Sequence, residues 1–226
     1  MRNALKFMLA LLVTIILMLA FRALVFTTYT VKGSMLGGHF EDGDRVLVNR
    51  WSYGLRTGGG RFFNYTRWLA SQPKQGDLIA FNCPTDKNEY VSSRPVYVCF
   101  CTGVPGDTIN VNNIPLVVPG KNHIIKVTEN NIYLLAYIYN NYEGKKAHVK
   151  DGNLLVDGSP TRCASFDNDY YWVSSGHKDN YNDSRFFGFV PENHIIGKVS
   201  MLLFSIDSSM PFYNCFRSDR WLLFIN

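Results

Sequence analysis

Tyr97-Val98-Cys99-Phe100-Cys101-Thr102-Gly103-Val104-Pro105-Gly106-Asp107 is the stretch on which the reading of this chain turns. Its first half alternates: Tyr97, Cys99 and Cys101 fall on one side of an extended backbone, and Val96, Val98 and Phe100 on the other. Pro105-Gly106-Asp107 then stops the run, because proline presets a turn, glycine tolerates it and aspartate ties it to its own backbone. The stretch reads as a β-strand closed by a tight turn.

The same pattern extends in both directions. Gly76-Asp77 introduces Leu78-Ile79-Ala80-Phe81, a short buried strand, and Asp42-Gly43-Asp44 tightens the entry to Arg45-Val46-Leu47-Val48. Val31 to Val48 reads as strand, turn, strand, with the turn at 33–38. Downstream, Tyr170-Tyr171-Trp172-Val173 and Ile195 to Phe204 read as strands. Between Asn110 and Asp169 the composition shifts to frequent asparagine and short apolar runs, and Ile124 to Tyr142 fits a strand or a helix. That region is expected to form an inserted β lobe. The C-terminal Trp221-Leu222-Leu223-Phe224-Ile225 is too short to span a bilayer and fits a last strand or an interfacial anchor.

Ala4 to Phe26 is apolar apart from Thr14, Lys6 and Arg22. As a helix it measures about 34 Å at ~1.5 Å per residue, enough for a bilayer if the two cations snorkel to its edges. Ala20-Phe21-Arg22-Ala23 lacks the small-residue spacing of a signal-peptide cleavage site, so the segment is expected to persist as an anchor. Arg2 and Lys6 precede the uncharged part of the run, Phe7 to Phe21, and predict a cytoplasmic N-terminus. The expected order is a cytoplasmic start at 1–3, an anchor at 4–26, a β core at 27–109 with 170–226, and the lobe at 110–169.

Length and charge narrow the classes further. A chain of 226 residues can bury one sizeable core, or a core with a small lobe. Aromatic residues make up 15% of it, which favours strands over helices. The net charge of +5 is carried without a dense Lys/Arg run, which argues against nucleic acid and for a face near an anionic lipid surface. The five cysteines, Cys83, Cys99, Cys101, Cys163 and Cys215, are an odd number, so one at least stays free unless it pairs between molecules. None sits in a CxxC or CxxH pattern, and no metal or cofactor is expected.

Four blocks, in order, resemble the type I signal peptidases, membrane-anchored serine proteases that use a Ser/Lys dyad. The first is Gly33-Ser34-Met35 with Gly43-Asp44-Arg45-Val46-Leu47-Val48 and Tyr53-Gly54, and the second is Gly76-Asp77-Leu78-Ile79-Ala80-Phe81. The third is the stretch around Cys99. The fourth runs from Asp179 through Asp183-Ser184-Arg185-Phe186-Phe187-Gly188-Phe189-Val190-Pro191 to Gly197-Lys198. Together they cover most of the chain outside 110–169.

The resemblance implies a mostly β, antiparallel-sheet ectodomain on a single N-terminal transmembrane helix, facing the outer side of a bacterial cytoplasmic membrane. It implies Ser34 in the nucleophile position, with Lys32 and Met35 as substrate-binding neighbours. Asp107, Asp183 and Arg185 would make structural ion pairs or turn caps under the site. Substrates would be exported pre-proteins, whose signal peptides bind as an added strand with alternate side chains in shallow pockets.

The departures from the pattern fall in one small volume. Cys99 stands where the family carries its lysine base, and Phe100 where it carries an arginine. The aspartate that would pair with that arginine corresponds to Gly176, and the serine that would bond the lysine amine corresponds to Tyr181. Lys32 replaces a serine two before the nucleophile, and Gly37-Gly38 replaces Pro-Thr after it. A serine hydroxyl is a weak nucleophile without a base. Cys99 would have to act as a thiolate, although apolar burial raises a thiol's pKa. His177, on a loop whose family counterpart lies beside the site, is the alternative base. Two functions follow. The chain is a signal-peptide endopeptidase with an unconventional base, or it is an inactive relative that binds signal-peptide-like or partner segments as an accessory subunit, with a protein partner in the membrane.

Overall fold

The structure, a computed structural model, describes residues 2–31, 40–58, 65–86, 90–176, 182–211 and 215–225. In chain order the elements are α1 (Arg2–Leu24), β1 (Phe26–Thr30), β2 (Asp44–Asn49), β3 (Leu55–Thr57), β4 (Thr66–Trp68), β5 (Leu78–Asn82), β6 (Val96–Gly103), β7 (Thr108–Val111), β8 (Ile114–Val117) and β9 (Ile125–Lys126). There follow α2 (Ile132–Tyr142), β10 (Ala147–Lys150), β11 (Asn153–Val156), β12 (Ser159–Thr161), β13 (Cys163–Ala164), β14 (Tyr170–Ser174), α3 (Ser184–Phe187), β15 (Val190–Pro191), β16 (Ile195–Ser205) and β17 (Leu223–Phe224). Single 3-10 turns lie at Val91–Ser93 and Glu192–His194. The fold is mostly β, and its named strand pairs are antiparallel.

The chain divides into two compact units, Met1–Gln72 with Ile196–Asn226, and Pro73–Ile195. In the first, α1 leads within two residues into β1. The first strand is thus Phe26–Thr30, earlier than the expected start at Val31, because Phe-Thr-Thr-Tyr-Thr is itself β-branched and aromatic. β1 pairs with β2 from Phe26↔Asn49 to Thr30↔Arg45, and β2 pairs with β16 from Asn49↔Lys198 to Asp44↔Ser205. β17 adds to β16 at Met201↔Phe224 and Leu202↔Leu223, so the C-terminal apolar run ends in a short strand. Among the described residues no helix is long and apolar enough to cross a membrane. The side chains of α1 are described without a break over 3–19, which is about 25 Å of helix.

Alternation in β2 buries Asp44, Val46 and Val48 and leaves Arg45, Leu47 and Asn49 half-buried. Asp44 therefore points inward, where an unpaired carboxylate would be costly. Arg220 meets it with Nε to Oδ1 at 3.1 Å and Nη2 to Oδ2 at 2.6 Å, and the Glu41 backbone N–H donates to Oδ2 at 2.9 Å. Burial alone would raise this carboxyl's pKa, but the hydrogen bonds from Arg220, Ser205 and Glu41 hold it below the ordinary value. Gly43 makes the turn possible: its φ is +91°, and a Cβ there would overlap the Ile206 carbonyl oxygen.

The second unit has the sheet order β5-β6-β14-β15. β5 is buried along its whole length, as the apolar run Leu78 to Phe81 requires, and its last residue, Asn82, donates to the Arg94 carbonyl at 3.1 Å. Within 110–169 lie short hairpins and one helix. The stretch 124–142 resolves into β9 and then α2, whose buried residues Ile132, Leu135, Ala136 and Tyr139 keep helical spacing. α2 packs on the hairpin of β10 and β11. Its inward side joins a core of Val118, Leu154, Phe166, Tyr170, Trp172 and Phe189. Glu143, just after α2, accepts hydrogen bonds from the Asp167 N–H, the Asn168 side chain and the Tyr170 hydroxyl at 2.9, 3.1 and 2.6 Å, tying the helix end to β14.

Breaking the Asp44–Arg220 pair should be a severe lesion. Arg220→Met leaves a buried carboxylate without its counter-charge and is expected to lower the unfolding free energy by about 3–5 kcal/mol, read by urea denaturation in detergent. Since the folded pKa of Asp44 is depressed, its contribution is present above the ordinary carboxylate pKa and disappears as pH falls through the folded value. The difference between the native chain and Arg220→Met should accordingly shrink on acidification. Equal stabilities at neutral pH would refute this account.

Candidate functional site

β6 carries Cys99 into the middle of the second unit's sheet. Its neighbours on the two sides are β5, in register Ile79↔Cys99, and β14, in register Val173↔Cys101. Cys99 is 0% exposed, and its Sγ donates to the carbonyl oxygen of Asn182 at 3.3 Å. Burial pushes its thiol pKa far up, the Asp183 charge pushes the same way, and Arg185 opposes weakly. Cys101, two residues on and on the same face, is pushed up to about 12 by burial and by the Asp77 carboxylate. None of the five cysteines is joined in a disulfide.

The segment that faces Cys99 is built around a carboxylate. Asp183 is 0% exposed. It accepts from Arg185 Nε at 3.0 and 2.9 Å and from Nη2 at 2.7 Å, and also from Ser175 through its N–H at 3.2 Å and its hydroxyl at 3.1 Å. The same carboxylate caps α3, taking the Arg185 backbone N–H at 3.0 Å. Asp-Ser-Arg thus performs two local tasks. The aspartate starts a helical turn, and the arginine two residues on neutralises it.

Ser184 completes the join. The register of β14 against β6 shifts between Trp172 and Val173, and the Val173 N–H donates to Ser184 Oγ at 2.9 Å. An irregularity in the sheet is thus satisfied by a side chain of the capped turn. Phe187, at the end of that turn, is buried with its ring 5.9 Å from Phe81 on β5.

Among the residues singled out from the sequence, the structure brings Cys99, Asp183 and Arg185 together. Asp107 serves a different place: its Oδ2 accepts the Val104 N–H at 2.9 Å and closes the Pro105-Gly106 turn. Ser34, Lys32, Met35, His177 and Tyr181 lie outside the described residues. Gly176 is exposed, with φ of +71°, a conformation that suits glycine. Phe100 pairs across the sheet with Leu78 and Ser174. The sequence reading missed the Asn182 carbonyl, Ser175 and Ser184. A backbone acceptor leaves no mark in a sequence, although Ser184 beside an N-cap aspartate was a usable signal.

The chemistry of this cluster is that of a proton donor in a neutral setting. The thiol gives its hydrogen to a carbonyl, and the adjacent carboxylate is matched by a guanidinium.

A family model described as signal peptidase, peptidase S26, matches residues 4–204. The chain belongs to that family. Among its relatives, signal peptidase I P of Bacillus subtilis subsp. natto is 28% identical over 207 residues, 91% of each chain. Signal peptidase IB of Staphylococcus aureus is 28% identical over 202 residues, 88% of each chain. Family membership carries the mostly β fold and the relation to signal-peptide-removing peptidases.

Thiol accessibility tests the burial directly. Iodoacetamide at pH 8 is expected to label exposed Cys163 in the folded chain and to leave Cys99 and Cys101 unmodified until denaturant is added, as followed by peptide mass spectrometry. Labelling of folded-state Cys99 at the rate of Cys163 would show an accessible thiolate and overturn the account.

Proposed function

We propose that this chain is a signal-peptidase-family protein that engages signal-peptide-like segments of exported pre-proteins and does not hydrolyse them by the family's lysine-assisted route. The observation that carries the reading is the state of Cys99, fully buried, with its hydrogen committed to the Asn182 carbonyl. In the position that the resemblance gives to the base there is a donor. Activation of Ser34 then lacks its proton acceptor.

Recognition of an extended segment makes no such demand. It uses backbone pairing and shallow pockets, and Lys32 and Met35 beside Ser34 are our candidates for lining them. The chain's core at 27–109 with 170–226 would supply that surface, and the lobe at 110–169 a site for an accessory partner.

The placement that goes with this role is a bilayer. α1 is apolar on all sides: Phe7, Met8, Leu9, Leu11, Leu12 and Val13 are all exposed, and these consecutive positions point in every direction around the helix. Over its full 23 residues such a helix is about 34 Å long. We infer an uncleaved single-pass anchor, with a cytoplasmic N-terminus and the rest of the chain on the outer side of a bacterial cytoplasmic membrane.

A second reading is favoured by family membership and by the presence of Ser34: hydrolysis with another base, His177 being the candidate. One assay separates them. A model pre-protein is incubated in detergent with the native chain, with Ser34→Ala and with Cys99→Lys. The native chain is expected to show no cleavage above the Ser34→Ala background, consistent with the loss of about 10⁴–10⁶ in rate that follows removal of a base. It is expected to retain binding of the uncut precursor. Cleavage by the native chain that Ser34→Ala abolishes would establish the second reading instead.

A further inference from the structure

The first unit carries an exposed apolar edge beside the point where α1 ends. Trp51 is 47% exposed, Trp68 67% and Leu69 80%. Backbone contacts hold the three together. The Gly54 N–H donates to the Trp51 carbonyl at 3.0 Å and closes a turn. That turn is tied to the chain just after β4: the Ser71 N–H donates to the Tyr53 carbonyl at 3.2 Å, and Ser71 Oγ donates to the Ser52 carbonyl at 3.2 Å. Leu55 faces Trp68 across the β3–β4 hairpin. Gly54 has φ of +90°, and a Cβ there would overlap the carbonyl oxygens of Trp68 and Leu69. The two segments form one fixed edge.

Leu69 is its least expected member. Its φ is +52°, a left-handed conformation that strains a leucine, and its side chain faces solvent. Strain and apolar exposure are separate costs, and both fall on one residue. Apolar matter from outside the chain would remove the second.

The position of the edge says what that matter is. The Arg50 N–H donates to the Val25 carbonyl at 2.9 Å, one residue beyond the end of α1. Trp51 follows, with its N–H bonded to Asn49 Oδ1 at 2.9 Å. The headgroup layer on each side of a bilayer is about 5–8 Å thick. With the outer end of α1 at that layer, a residue one hydrogen bond away cannot stand clear of it. Tryptophan is also the side chain whose amphipathic ring settles at this depth.

Charge agrees with the location. After α1 the first unit holds nine lysines and arginines against five aspartates and glutamates. Three of the five, Glu41, Asp44 and Asp207, bond Arg217 or Arg220 at the end of the sheet away from α1. At the near end Arg56 and Arg67 face each other across the hairpin, next to Trp68. Burial pushes the Arg56 pKa down to about 10, and the charges of Arg67 and Arg50 act in the same direction. Anionic phospholipid attracts such a positive end.

We propose that Trp51, Trp68 and Leu69 are seated in the phospholipid headgroup layer of the outer leaflet, as a second membrane contact beside α1. The contact rests on the reading of α1 as an anchor and is independent of what Ser34 and Cys99 do.

The test uses the full chain, reconstituted in vesicles of phosphatidylcholine and phosphatidylglycerol whose acyl chains are brominated close to the headgroup. Compared with unbrominated vesicles, about half of the tryptophan emission should be lost, because two of the chain's four tryptophans lie at the contact. Of the others, Trp172 is buried, and Trp221 packs on Phe204, whose partner across the sheet is Arg45, towards the end away from α1. Combining Trp51→Phe with Trp68→Phe should remove most of this quenching. Both side chains are exposed, so the variant should unfold at the native temperature. Alkaline carbonate extraction reads α1 separately. A chain retained in the vesicles but unquenched would overturn the contact alone, and so would quenching that survives undiminished in the double variant. Release of the native chain by carbonate would overturn the anchor and, with it, the contact.

Discussion

A carboxylate sealed from water organises the second unit's site. Asp183 has no exposed surface, and an isolated charge in such a position would be ruinous. Its partners, Arg185 and Ser175, are therefore obligatory, and their geometry fixes everything near them. Because the same oxygens cap α3, the backbone must turn sharply at Asn182 and Asp183, which sets the Asn182 carbonyl against Cys99. Because Ser184 follows immediately, its hydroxyl reaches the irregular point of β14. One ion pair thereby links the β6 strand, the capped turn and the irregular point of β14.

The strands were legible where period and composition agreed. Leu78 to Phe81 is a continuous apolar run and folds as the strand Leu78–Asn82, buried on both faces. Val96 to Cys101 folds as the start of Val96–Gly103, with Cys99 and Cys101 buried on one face and Val98 on the other. Phe26–Thr30 was obscured because its first residue continues the apolar stretch of α1, so hydrophobicity alone does not mark where helix becomes strand. α2 carries the helical stripe of Ile132, Leu135, Ala136 and Tyr139, but its four tyrosines and two asparagines are poor helix formers, and the stripe competes with a strand reading. Tertiary packing against β10 and β11 settles the matter.

The site was legible only in its local half. Asp183-Ser184-Arg185 announces a capped turn with a nearby counter-charge, because all three act within two residues of one another. The Cys99 to Asn182 contact spans 83 positions and ends on a backbone oxygen. Such a contact is a product of the fold, and no spacing rule anticipates it.

These two halves bear on why a cysteine suits position 99. The ion pair that the resemblance expects across positions 100 and 176 is replaced at both ends, by Phe100 in the sheet and by an exposed Gly176 in a left-handed turn. Removing one partner alone would have stranded a charge, whereas removing both leaves the neighbourhood neutral. Cys99 continues that logic: a small apolar group with one weak donor needs one acceptor, and Asn182 supplies it. A lysine there would need to be held uncharged by its surroundings. The cluster is therefore consistent within itself as a neutral, packed wall. Catalysis and recognition make separate demands on such a fold, since only the first requires a group whose affinity for a proton rises to meet the transition state. Under the function we propose, selection on the second alone would leave the strands and the capped turn in place while the first decayed.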